Sequence, residues 1–172
     1  MNMIKKYVLI ILVFSTCVSN GQEIDSIQER QEKMQWFKDA KLGVFIHWGL
    51  YSVNGIDESW SFYNGYISHP NYLKQTNGFT AKNYDPKVWV ELIKESGAKY
   101  SVITSKHHDG FGLWDSKVSD YDIMDASPFK RDIIRELAEA SRKQGIRFGV
   151  YHSIVDWHHP QAQGNLFPNY NA

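Results

Sequence analysis

Apolar and polar positions along this chain follow two periods, and the switches between them outline its elements. Leu42 to Ile46 is a short apolar, β-branched run between Lys41 and His47-Trp48-Gly49, which predicts a strand buried on both faces. Asp85-Pro86 then supplies a cap and a first-turn proline. Val88, Trp89, Leu92 and Ile93 form a helical stripe behind it, and Gly97 closes the helix. Tyr100 to Thr104 predicts a second strand. Lys130 to Gln144 predicts a second amphipathic helix, with Ile133, Ile134, Leu137 and Ala138 inward and Gly145 as its stop. Ile146 to Tyr151 predicts a third strand. A charged, helix-favouring segment from about Asp25 to Lys38, with Ile27, Met34 and Phe37 available for an apolar face, precedes them all.

The order strand, helix, strand, helix, strand, with turns of two or three residues from each helix into the next strand, predicts parallel βαβ units with right-handed crossovers. The opposite connections are long, Gly49 to Tyr84 and Lys106 to Phe129. In barrels and in open α/β sheets alike, the loops leaving the carboxyl ends of the strands build the site.

The extreme amino terminus has a different pattern. Two lysines within Met1–Lys6, an unbroken apolar run from Tyr7 to Phe14 and a small, polar stretch from Ser15 to Gly21 have the layout of a secretory signal peptide. The apolar run is too short for a membrane-spanning anchor. Ser19 and Gly21 predict cleavage before Gln22, so residues 1–21 are expected to be removed and 22–172 to remain, in the periplasm or outside the cell. A lipoprotein cut at Cys17 is the alternative, disfavoured by the bulk of Thr16. Cys17 is the only cysteine, so cleavage before Gln22 leaves no disulfide, cysteine nucleophile or cysteine metal ligand. The 19 basic and 19 acidic residues balance; losing Lys5 and Lys6 leaves a small acidic excess. Such a chain is not a nucleic-acid binder or a disordered tail. Its 15% aromatic content supplies flat apolar faces that either fill a core or stack on a ring-shaped ligand.

Six of the seven histidines fall at or just after the carboxyl end of a predicted strand: His47, His107, His108, His152, His158 and His159. His69 lies elsewhere. Three strands thus aim imidazoles at one cavity mouth. Two chemistries can use them. Imidazoles ligate a divalent metal if two or more rings turn onto one point, which for the adjacent His107 and His108 requires the backbone to turn. Alternatively, imidazoles and Lys106 bond the hydroxyls of a sugar while rings in the first long loop (Tyr51, Trp60, Phe62, Tyr63, Tyr66) stack on its apolar face, or simply pack. Asp57, Glu58, Asp109 and Asp156 are the nearby carboxylates. In His-Asp-Gly-Phe, Asp109 reads as a turn former, and Asp156 as a residue that orients a histidine.

These residues resemble the α-L-fucosidases of glycoside hydrolase family 29. The likeness runs from Gln35-Trp36-Phe37 through Lys41-Leu42-Gly43-Val44-Phe45-Ile46-His47-Trp48-Gly49 and Lys106-His107-His108-Asp109-Gly110-Phe111 to Phe148-Gly149-Val150-Tyr151 and Asp156-Trp157. It implies a retaining exo-glycosidase on a (β/α)₈-like barrel, acting on terminal α-L-fucosyl groups of oligosaccharides or glycoconjugates, without metal or organic cofactor. His47 resembles the family's sugar-binding histidine after the first strand, His107 and His108 its paired histidines after the second, and Trp60 the tryptophan packed at the sugar pocket. Glu58 departs from the pattern, because Ser59 separates it from Trp60. The family's nucleophile and acid/base follow the fourth strand, so no catalytic carboxylate is expected within these 172 residues.

The fold expected is therefore α/β, a partial (β/α)₈-like TIM barrel of about three βα units, incomplete at the carboxyl terminus and inactive alone. Closed barrels of this kind take roughly 250 residues, and three strands cannot close one. A metal-dependent barrel hydrolase and a non-catalytic sugar-binding homologue remain the competing expectations.

Overall fold

A computed structural model describes residues 27–162. The expected signal peptide, its cleavage point and Cys17 lie outside them. The chain divides into two compact units, Met1–Lys41 and Leu42–Ala172. In the first, residues 27–40 form helix α1. Its expected apolar residues Ile27, Met34 and Phe37 are all exposed. No helix among the described residues is long and apolar enough to cross a membrane.

The second unit is mixed α/β. Strands β1 (Gly43–Ile46), β2 (Tyr100–Lys106) and β3 (Arg147–His152) form one parallel sheet in the order β1-β2-β3, as the βαβ pattern predicts. Helices α4 (Pro86–Glu95) and α5 (Ile133–Gln144) form the two connections and pack on each other. The long stretch after β1 is not a plain loop. It contains a 3₁₀ turn at Leu50–Ser52, short helices α2 (Trp60–Tyr63) and α3 (His69–Leu73), and a second 3₁₀ segment at Lys74–Gly78.

Local chemistry explains the long helices. Asp85 accepts hydrogen bonds from the Lys87 and Val88 amides, and Pro86 follows at the first helical position, where it loses no bond. Asp132 caps α5 through the Arg135 amide, and Gly145, at φ +74°, ends it in the left-handed conformation that glycine tolerates. The core joins Val90 and Ile93 of α4, Ile103 of β2, and Ile133, Leu137 and Ala140 of α5, with Val44, Ile46 and Phe148 packed against it.

Two expectations need correction. The inward stripe of α4 is Trp89, Val90 and Ile93, at spacings of one and three; Val88 and Leu92, one turn apart, face outward. Nor is β1 buried on both faces. Val44 and Ile46 join the core, but Phe45 points to the other face and is 54% exposed, because only rings such as Tyr151 flank it there. On that face Gly43 is pinned by Tyr100: a Cβ on Gly43 would fall inside the Tyr100 ring, so the strand pair requires a glycine.

The stretch after β2 is tied down by two aspartates. Asp122, fully buried, accepts from the amides of Ser116, Met124 and Asp125. Asp132 accepts from Asp115 as well as from Arg135. Replacing Asp132 by Ala is therefore expected to lower stability by about 1–2 kcal/mol. Asp132→Asn keeps one acceptor for the helix but loses the second carboxylate oxygen, and should fall between the two. Urea unfolding of the three chains checks the order.

Candidate functional site

The site forms where β1 and β2 end. β1 delivers His47; the backbone then turns into the 3₁₀ segment that buries Leu50 and Tyr51. Trp48 is anchored to β2, its amide donating to Thr104 Oγ1 (2.9 Å) and its carbonyl accepting from the same hydroxyl (2.6 Å). Its ring lies among Phe79, Tyr84 and Trp89. This double bond across the strands fixes the exit of β1, and with it His47.

At the end of β2 the backbone turns. The Gly110 amide donates to His107 O (3.1 Å), and Gly110 adopts φ +83°. This bend removes the obstacle raised by adjacency, since an extended strand would send His107 and His108 apart. Their ring centroids lie 4.3 Å apart, and His107 lies 5.1 Å from His47. Asp109 holds the bend. It is 1% exposed and accepts from the Tyr72 hydroxyl (2.6 Å) and the Phe111 amide (3.2 Å), the turn-forming role its sequence context predicts. Burial pushes its carboxyl up to about 6, opposed by those two bonds.

Glu58 and Ser59 complete the arrangement. Glu58 Oε1 lies 2.9 Å from His47 Nδ1, and Oε2 lies 3.6 Å from His107 Nε2. Tyr51 OH is also 3.0 Å from His47 Nδ1. Ser59, fully buried, accepts from the Asp109 amide (2.9 Å) and shares a 2.6 Å hydrogen bond with His107 Nδ1. The residue that breaks the expected Glu-Trp adjacency thus joins the first loop to the turn after β2. Sequence spacing carried no signal for this, because the partners are 48 and 50 residues apart.

His108 belongs to the rim. Ser153 donates its hydroxyl to Val155 O (2.7 Å), so the 2.6 Å contact between Ser153 Oγ and His108 Nδ1 is one in which His108 donates, leaving Nε2 as an acceptor. Trp60 packs edge-on against His108, Tyr63 and Trp157, with centroids 5.2–5.7 Å away, and remains 41% exposed. The other rings of the first loop divide: Tyr51 and Phe62 are core, Tyr63 and Tyr66 exposed.

The remaining candidates take other roles. Asp156 holds the backbone of two histidines. Its Oδ1 accepts from the backbone amides of His158 and His159, and its Oδ2 pairs with Lys106 at 3.1 Å, because the chain after β3 turns back over Lys106. His152 Nδ1 bonds Ser105 Oγ at 3.1 Å. His69, which the sequence set apart, packs against Phe62 and His158.

Burial, reinforced by the neighbouring His108 and His47, lowers the pKa of His107 to about 4; burial and then His158 lower that of His69 to about 4. Burial also lowers His108, His152 and His158. His107 and His69 are therefore neutral at pH 7. A lowered histidine pKa means that the unfolded chain binds the proton that the folded chain rejects, so this stability is complete above about 6.5 and is lost as pH falls towards 4. Asp109, raised, acts oppositely between 3.8 and about 6. His69 and His107 together outweigh it. Stability should thus decline on acidification from pH 6.5 to 4, by roughly 1.4 kcal/mol per pH unit for each net proton taken up on unfolding. His107→Gln should flatten that slope in urea titrations run across the range; an unchanged slope would contradict the assignment.

Residues 15–172 match the family model described as alpha-L-fucosidase. The tissue alpha-L-fucosidase of Macaca fascicularis is 40% identical over 141 residues, covering 73% of this chain and 30% of that protein. Among solved structures, alpha-L-fucosidase isoenzyme 1 from Paenibacillus thiaminolyticus is similar, with a TM-score of 0.72 and 46% identity over 76% of this chain and 31% of the other. The alpha-L-fucosidase AlfC from Lactobacillus casei, in complex with its alpha-L-fucose product, gives a TM-score of 0.69 and 44% identity over 74% of this chain and 42% of that one. The chain spans about a third of the length of the curated relatives it matches. On this evidence the chain belongs to the alpha-L-fucosidase family.

Proposed function

We propose that this chain is the sugar-recognising part of a retaining α-L-fucosidase, built on the first units of a (β/α)₈-like barrel and acting on fucosylated oligosaccharides or glycoconjugates. The observation that carries the reading is the convergence of His47, Glu58 and His107, whose polar side-chain atoms lie within 4.8 Å of one another, with the exposed Trp60 ring and His108 beside them. That combination suits a deoxy sugar. Hydroxyls meet imidazole nitrogens and a carboxylate, while Trp60 offers an apolar face to the ring. Family membership and the product complex of the Lactobacillus casei relative support it.

In the two-step mechanism of a retaining glycosidase, a carboxylate attacks the anomeric carbon while an acid protonates the leaving oxygen, and water then releases the sugar with configuration retained. The residues of this chain act on binding and orientation. His47, Glu58 and His107 hold ring hydroxyls, and these bonds tighten as oxocarbenium character develops. Ser59 and Asp109 hold His107 in place. The neutral imidazole of His107 serves here as acceptor and donor without repelling the positive charge that grows on the sugar ring.

In the intact fucosidase, His107→Ala is expected to lower kcat/KM steeply on an aryl α-L-fucoside. A loss below about twofold, less than roughly 0.5 kcal/mol, would count against the pocket role. We further propose that residues 1–21 direct export and are removed, leaving a periplasmic or secreted protein. Intact-mass measurement of the exported chain should find Gln22 at the amino terminus; a lipid-modified Cys17 or a retained Met1 would overturn this.

A further inference from the structure

We propose that His47 Nδ1, His107 Nε2 and a carboxylate oxygen of Glu58 form a binding site for a zinc-class divalent cation. The three donor atoms lie within 4.8 Å of one another, with two nitrogen-to-oxygen separations of 2.9 and 3.6 Å. Around zinc, with nitrogen and oxygen ligands at about 2.0–2.2 Å, tetrahedral donors stand roughly 3.4 Å apart. The observed spacings straddle that value. Two imidazoles and one carboxylate are the donor set of an open zinc site, and the nitrogen majority disfavours magnesium and calcium.

The surroundings supply what such a site needs beyond its ligands. The other nitrogen of His107 is held by Ser59 Oγ at 2.6 Å, and Ser59 is itself fixed by the Asp109 amide. With the proton on Nδ1, the Nε2 lone pair is left facing the Glu58 side, which is how metal-bound imidazoles are commonly oriented. Tyr51 OH, 3.0 Å from His47 Nδ1, has an alternative partner in Thr104 Oγ1 at 3.5 Å and can yield the nitrogen. His47 is on the exposed side of the triad, which leaves an approach from solvent and an open coordination position.

The cation acts here as an occupant, not as a cofactor: the donors it uses are those assigned above to sugar hydroxyls. The cation site stands on its own geometry, and only its competition with the sugar rests on the fucosidase reading.

The test is a zinc titration of the full chain, followed through the imidazole nitrogen resonances of ¹⁵N-histidine-labelled protein. One equivalent of zinc should move His47 and His107 and leave the exposed His159 in place, while magnesium at the same concentration moves none. His107→Ala should abolish the stoichiometric step, and Ser59→Ala should weaken it by about 10–100-fold. His159→Ala should bind as the parent does. Because the unmutated chain carries the main readout, misfolding of a variant does not blunt the test. Zinc shifts confined to His152, His158 or His159, or none at one equivalent, would overturn the proposal. Excess L-fucose should release the zinc. Zinc retained under saturating L-fucose would leave the cation site standing and count instead against the sugar reading.

Discussion

The turn after β2 is the constraint on which the rest of the site depends. Two histidines adjacent in sequence must face one point, and an extended backbone forbids it. The chain meets this with a bend at His107–Gly110, closed by a buried carboxylate that takes its bonds from Tyr72 and Phe111. A buried Asp is costly to leave charged. The cost is tolerated because Asp109 lies where the short helices after β1 meet the bend, and its bond to Tyr72 is what brings those helices over the strand end. Without that anchor, Glu58, Ser59 and Trp60 would have no reason to face the histidines.

The sheet supplies the second half of the geometry. In a parallel sheet, strand ends with the same direction come together, so residues far apart in the chain become neighbours at one edge. β1 and β2 run in register from Gly43↔Tyr100 to Ile46↔Ile103, and the Thr104 hydroxyl, bonded twice to Trp48, keeps their exits level. His47 and His107 therefore meet without any long side chain having to reach. The irregularity between Thr104 and Lys106 in the pairing with β3 then turns Lys106 towards Asp156.

The strands, the two long helices and their caps were legible in the sequence because local rules determine them: an Asp-Pro start, a glycine stop, an apolar run of strand length. The α4 stripe was read half wrongly. Five apolar residues on a ten-residue helix, Val88, Trp89, Val90, Leu92 and Ile93, fit two overlapping faces, and packing against α5 decides that Val90 turns inward and Leu92 outward. The short helices between Gly49 and Tyr84 were not visible because pieces of four or five residues have no stability of their own; tertiary contacts hold them. At the site, His47, His107, His108 and Trp60 could be picked out by their places at strand ends and by family resemblance. Ser59 could not, since its role consists of contacts with residues some fifty positions away. Nor could the pairing of Asp156 with Lys106, fifty positions away.

Ser59 also changes what kind of segment the first loop is. Surface loops ordinarily accept insertions and deletions. Here three consecutive residues are committed to three different partners: Glu58 to His47 and His107, Ser59 to the Asp109 amide and His107, Trp60 to His108 and Trp157. Removing one residue between Ile56 and Trp60 would shift each side chain into its neighbour's place, setting an indole where a hydroxyl belongs. The stretch looks like a loop by length, yet it has the indel intolerance of a core strand. Variation among descendants of this sequence should therefore come by substitution at the exposed Tyr66, beyond the committed triplet, and not by change of length within it.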